Sequence, residues 1–192
     1  MNLDNKLAQI EPKVTDPHFR DNLGSANEVG YYVFDYEPKE ELKVRDYVKK
    51  LTEEINQKEF LDINIKYFDL YDVMIEFLKE EDILEDVFIL EEDEGYEEVI
   101  HSIRDAMGID TINDNFIIQY IKDKIDDNSI VFLTGLGKVF PIIRAHKILN
   151  NLHLVLDKVP VILFLPGEFS GLEIKLFGLL NNNYYRAFKL IK

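Results

Sequence analysis

The chain has 192 residues, 46% of them hydrophobic and 12% aromatic, no cysteine, and a net charge of −15. Such a chain is long enough to bury one core of single-domain size, and the missing thiols exclude disulfide staples, thiolate metal sites and cysteine nucleophiles. The start, MNLDNKLAQIEPK, carries acids early and no stretch of about 18 apolar residues follows anywhere, so a cytoplasmic protein with no membrane contact is expected.

In chain order, Leu3, Leu7 and Ile10 form a short amphipathic stretch that Pro12, Pro17 and Gly24 interrupt, which predicts an N-terminal helical arm over 1–26. YYVFDYEP, from Tyr31 to Pro38, is aromatic and β-branched and predicts a first strand. Pro38 suits the first turn of a helix, along which Leu42, Tyr47, Val48, Leu51 and Ile55 recur at roughly helical spacing. INIKYFDL (63–70) is a second strand, and Asp69 with Asp72 resembles a helix-start capping pattern ahead of Val73, Met74, Phe77 and Leu78. An acidic helical insertion over about 76–128 follows, with GYEEVIHSIRDAM and NDNFIIQYIKDKI as its clearest helices. SIVFLTG is a third strand, continuously apolar as in strands covered on both faces. A helix from about Val139 to Asn151 leads to a fourth buried strand, VPVILFLPG, and YYRAFKLI predicts a fifth. Strands separated by helical segments imply an α/β fold: residues 27–192 as one domain, a mostly parallel, Rossmann-like sheet of about five strands with helices on both faces.

Charge is unevenly placed. Residues 76–98 hold twelve acids against one lysine, whereas 129–192 hold eight Lys or Arg against three acids. The acidic first part argues against wide contact with a phosphate backbone, so DNA contact is expected to be indirect or weak. The acidic run itself reads as a solvated helix face and loop.

Parallel α/β sheets present their working loops at the carboxyl ends of strands. Asp35, Asp69, Thr134–Lys138 and Pro166–Glu168 all fall there. The TGLGK segment invites comparison with nucleotide loops, yet Gly135 and Gly137 are one residue apart and Val139 follows Lys138, so the P-loop spacing fails. Phe140 stands where the third glycine of a dinucleotide loop belongs. Two readings remain: Thr134, Gly135, Gly137 and Lys138 bind one anionic group at a helix start, or they form a tight strand-to-helix turn. Asp35 and Asp69 would hold a divalent cation only if their strands were neighbours, and capping explains Asp69 equally well. His146 falls in register with Val139, Ile142, Ile143 and Leu149 and reads as a half-buried histidine before a catalytic base. Asn150 and Asn151 suit a helix C-terminus. Tyr184, Tyr185 and Arg186 are residue types favoured at interfaces, or else alternate across the last strand.

The series GSANEVGYYVFDYEPKEELKVR, YFDLYDVMIEFL, FLTGLGKVFPIIRAHKILNNL, VPVILFLPGEFSGLEIKLFGLL and NNNYYRAFKL resembles the BrxB family, a small component of bacteriophage exclusion (BREX) defence systems. The likeness runs from about Asn27 to Lys189, and its most specific parts are the block Thr134–Leu152 and NNNYYRAF. Leu136 stands where a smaller apolar residue is usual, and Ile174 and Lys175 replace a more polar stretch. The resemblance implies a non-enzymatic accessory protein that docks onto larger BREX proteins and is needed for host-DNA modification and phage restriction. It points to the PglZ phosphatase-like protein as first partner, with the BREX ATPase or methyltransferase as alternatives. It carries over no catalytic residue and no cofactor. Arg144, Pro166, Gly167, Glu168, Tyr184, Tyr185 and Arg186 are the interface candidates; a nucleotide- or anion-binding domain using the Thr134–Lys138 loop is the alternative function.

Overall fold

A computed structural model describes residues 2–21, 30–111, 113–156, 159–177, 179–181 and 187–191. Helices α1 (Leu3–Leu7), α2 (Ile10–Val14) and α3 (Pro17–Asp21) precede strand β1 (Tyr31–Tyr36), and α4 (Glu41–Asn56) leads to β2 (Asn64–Asp69). The long connection to β3 (Ser129–Thr134) holds α5 (Leu70–Glu80), α6 (Leu84–Glu94), α7 (Tyr96–Ala106) and α8 (Phe116–Lys122). Then come α9 (Leu136–Val139), α10 (Ala145–Val155), β4 (Val161–Phe169), β5 (Ile174–Leu176), β6 (Leu179–Asn181) and β7 (Phe188–Lys189).

The sheet runs in the order β2-β3-β4-β1-β7 with every neighbouring pair parallel, the α/β architecture expected from the alternation of strands and helices. Side chains alternate across it. Phe34, Ile130, Phe132, Ile162 and Phe164 face a core shared with Leu7, Ile10 and Val14 of the arm and Val44, Val48, Leu51 and Ile55 of α4. Val33, Val131, Leu133, Val161, Leu163 and Leu165 face the opposite core, built with α5, α7, α8, α9 and α10. All six residues of β3 are buried, because helices cover both of its faces.

The structure differs from sequence expectation in four places. Leu42 is 66% exposed, and Val44 takes its place in the buried stripe of α4. Val44 lies one helical turn before Val48, whereas Leu42 lies six residues before it and projects outward. The helix expected over 139–151 is two helices, α9 and α10. Pro141 offers no N–H to a continuing helix and holds Phe140 extended (ψ 134°), and the Phe140–Pro141 bond is cis. The helical register proposed for His146 therefore does not exist before Ala145. Third, β4 continues past its parallel part: Gly167, Glu168 and Phe169 pair antiparallel with β5, and β5 with β6, a hairpin that sequence periodicity did not reveal. Fourth, the last strand is short: Phe188–Lys189 pairs with Tyr32 and Val33, and Tyr184, Tyr185 and Arg186 lie outside the described residues.

Candidate functional site

Asp69 ends β2 and caps α5. Its Oδ1 accepts from the N–H groups of Tyr71 (3.0 Å) and Asp72 (3.4 Å), satisfying two of the free donors of the first turn. Its other oxygen is enclosed, the side chain being 1% exposed, and faces the Lys138 ammonium at 2.6 Å. No donor is aligned on Oδ2 as a hydrogen bond, so the contact is Coulombic. Lys138 also lies 3.9 Å from Asp72 and 5.0 Å from the centre of the Tyr71 ring.

Gly135 makes this closeness possible. Its φ of +78° belongs to the left-handed region, and a Cβ there would sit 2.3 Å from Asp69 Oδ1. The turn therefore folds down onto the carboxylate. Gly137 meets the hairpin: a Cβ would lie 3.0 Å from the Phe177 ring and 3.1 Å from Pro166. Thr134 donates to the Tyr67 hydroxyl at 2.9 Å. Burial pushes that phenol up to about 12, the charges of Asp69 and Asp72 push the same way, and the Thr134 hydrogen bond opposes them.

In this geometry an anion brought to Thr134–Lys138 meets a carboxylate whose charge already occupies Lys138. The helix behind the loop has four residues, too few for a substantial dipole.

Asp35, at the end of β1, is occupied in the same way. Lys6 of the arm donates to its carboxylate and main-chain oxygen, the Phe169 N–H donates at 3.1 Å and Lys189 approaches to 3.4 Å. Burial raises this carboxyl, and the Lys6 hydrogen bond, the Phe169 amide and the charges of Lys6 and Lys189 outweigh it, leaving it below the usual range. Strands β3 and β4 stand between Asp35 and Asp69, a separation of three strand spacings or about 14 Å, so the adjacency that a shared cation would need is missing. No group of three metal-ligating side chains occurs among the described residues.

Beside Asp35 lies an open depression of about 290 Å³, bounded by Phe169, Ser170, Glu173, Lys175 and Lys189. Gly167 and Glu168 border a second depression of about 320 Å³ with Pro38 and Lys175. Glu168 is 81% exposed along its side chain, with Lys175 at 3.9 Å. Gly167 cannot carry a Cβ, which would fall 2.0 Å from the Lys175 carbonyl oxygen. Thus Pro166 and Phe177 both approach Gly137, Gly167 and Glu168 belong to the strand that pairs with β5, and Arg144 is exposed where α10 begins. Asn151 is buried and donates to the Thr111 carbonyl at 3.3 Å, well inside α10, so it does not end the helix. Of His146 only its place in α10 is described.

Sequence reasoning missed Lys6, Lys189 and Tyr67. Tyr67 was accessible to it, since it lies two residues before Asp69 on the same side of the strand. Lys6 and Lys189 reach Asp35 only through tertiary contacts.

The family model described as "BREX protein BrxB" matches residues 66–190, a span holding Asp69, the Thr134–Lys138 turn, β4 and the hairpin. The chain belongs to the BrxB family. A BREX protein BrxB of Bacillus cereus (strain H3081.97) is 46% identical over 190 residues, covering 98% of this chain and 97% of the relative. Another BREX protein BrxB, from Escherichia coli O9:H4 (strain HS), is 30% identical over 192 residues, covering 98% and 92%. No solved structure matches. Asp35 and Lys6 lie outside the span of the BrxB family model, and both fall within the nearly full-length BrxB alignments.

Proposed function

We propose that this BrxB-family protein is a non-enzymatic accessory of a BREX anti-phage system that docks onto larger BREX proteins through the carboxyl edge of its sheet. The observation that carries this reading is the pairing of Asp69 with Lys138. At the edge where α/β enzymes keep their reactive groups, the buried carboxylate is engaged by a helix cap and a lysine from the adjoining turn. Asp35 is engaged likewise by Lys6, Lys189 and the Phe169 amide. What the edge leaves to solvent is a recognition surface: Glu168, Leu172 and Phe177, the last two 53% and 48% exposed, on a hairpin held by main-chain pairing.

In this reading the PglZ-type protein is the first partner, the BREX ATPase or methyltransferase the alternatives, and DNA is reached only through them, in the cytoplasm. Docking would support host-DNA modification and phage restriction. The test is purification of the tagged protein from its intact operon, with Glu168→Lys and Phe177→Ser as edge variants. Recovery of a BREX protein with the native chain and its loss with either variant is expected; recovery of none refutes docking. Calorimetry with ATP, GTP, a dinucleotide and inorganic phosphate examines the anion-binding alternative, and heat that Lys138→Met abolishes would favour it.

A further inference from the structure

A second surface lies away from that edge. Helix α5 starts at the carboxyl end of β2 and its 11 residues carry the chain about 16 Å before α6 begins. Among the described helices of more than ten residues, α6 is alone in burying no side chain. Leu84 and Val87 rest against the core, while Phe88 and Ile89 are each 57% exposed and Tyr96, just past Gly95, is 63% exposed. At 100° per residue Phe88 and Ile89 bracket Glu85 and Glu92, so one outward face mixes large apolar side chains with carboxylates.

The charges on this helix oppose its own geometry. Helix C-termini favour cations, yet α6 ends on Glu91, Glu92, Asp93 and Glu94 with no basic residue in its last turn. None of these four, nor Glu85 or Asp86, forms an ion pair among the described residues. The face thus combines unneutralised like charge, a C-terminal dipole of the same sign and exposed Phe88 and Ile89. A single kind of occupant relieves all three: a protein surface that brings Lys or Arg side chains to the end of α6 and an apolar recess to Phe88. Nucleic acid and anionic lipid are repelled by the same charges.

We infer that α6, with the start of α7, is a docking face for a basic protein surface, distinct from the carboxyl edge. A photo-crosslinking phenylalanine analogue at position 88, and separately at position 60 as an exposed control and at position 177 for the carboxyl edge, is introduced into the full chain in cells carrying the operon. Position 88 is expected to crosslink one BREX protein within a peptide rich in Lys and Arg, and position 60 not to. With the complex purified, Phe88→Ser/Ile89→Ser and the set Glu91→Gln, Glu92→Gln, Asp93→Asn, Glu94→Gln should each weaken binding at least tenfold, and rising salt should weaken the native complex. The neutralised set should at the same time raise the melting temperature of the free protein, which a merely structural role would not pair with weaker binding. Crosslinks from position 88 to a second copy of the chain, to nucleic acid, or to nothing overturn the inference, as does unchanged affinity of either variant. Position 177 reports separately on the carboxyl edge.

Discussion

Lys138 and Asp69 form an ion pair across the junction of two strand ends, with the carboxylate 1% and the lysine 28% exposed along their side chains. Strands β2 and β3 are neighbours, and Asp69 stands in register with Thr134, so the turn that follows β3 needs only one reversal to bring its lysine over the carboxylate.

Removing the lysine should therefore expose the cost of an enclosed charge. Lys138→Met is expected to destabilise the protein by about 2 kcal/mol, below the usual range for a fully buried pair because the lysine is partly solvated. Asp69→Asn in the same chain should recover part of that loss, since the amide keeps its oxygen for the cap and carries no charge. Urea unfolding of the two single variants and the double variant measures the coupling; simple additivity would contradict it.

The two glycines of the turn should respond unequally. Gly135→Ala combines a left-handed backbone with a Cβ 2.3 Å from Asp69 Oδ1, and a loss of about 2 kcal/mol or more is expected. Gly137→Ala meets the exposed Phe177 ring and Pro166 at 3.0 and 3.1 Å, where the ring can swing aside, so the loss should stay below about 1 kcal/mol. Melting temperatures of the two variants rank the effects; equal losses would mean that Asp69 does not restrict the turn.

Strand β2 lies at one edge of the sheet, and Asn56 guards it. Its side-chain amide donates to the Ile65 carbonyl at 2.9 Å and accepts the Ile65 N–H at 2.7 Å, imitating the peptide of a further strand. Asn56→Ala frees both groups and is expected to cost about 1 kcal/mol. It also opens a template for pairing with another chain. Sedimentation of the native and Asn56→Ala proteins over a range of concentrations should show stronger self-association for the variant.

Asp110 joins α7 to α10. It accepts from Arg104 at 2.7 Å and lies 2.9 Å from Lys147, and those hydrogen bonds hold its carboxyl at about 2, under the ordinary 3.8. A carboxyl lowered in the folded state binds its proton more readily when unfolded, so its stabilisation is complete above about pH 5 and is lost as pH falls through about 2. Asp110 is half exposed, which keeps the contribution under about 1 kcal/mol. Asp110→Asn should lower the urea midpoint slightly at pH 7, and the gap from the native protein should narrow below about pH 4 and close only below about pH 2. A constant gap between the two curves would remove Asp110 from the acid response.

The parallel sheet was legible because covered strands such as VPVILFLPG must be continuously apolar, and helical spacing marked α5, α7 and α8. The turn at Gly135 was legible as a glycine-dependent reversal, and its failure to match nucleotide loops followed from spacing alone. The partner of Lys138 was not, since only strand order brings β2 beside β3. Lys6 was hidden for the same reason, lying 29 positions before Asp35 and meeting it through the packing of the arm. The β5–β6 hairpin escaped because each strand has three residues, too few for alternation to stand out. The break before α10 was legible too, because Pro141 marks the interruption that apolar spacing alone bridges.

The strand order has a consequence for biosynthesis. Among the described strands β1 leaves the ribosome before the others, yet in the finished sheet it lies between β4 and β7, with Tyr32 opposite Ile162 on one side and Phe188 on the other. Until those distant segments are translated, an aromatic strand stays without neighbours. Sheet closure is therefore late and non-local, the condition under which nascent chains most depend on chaperones.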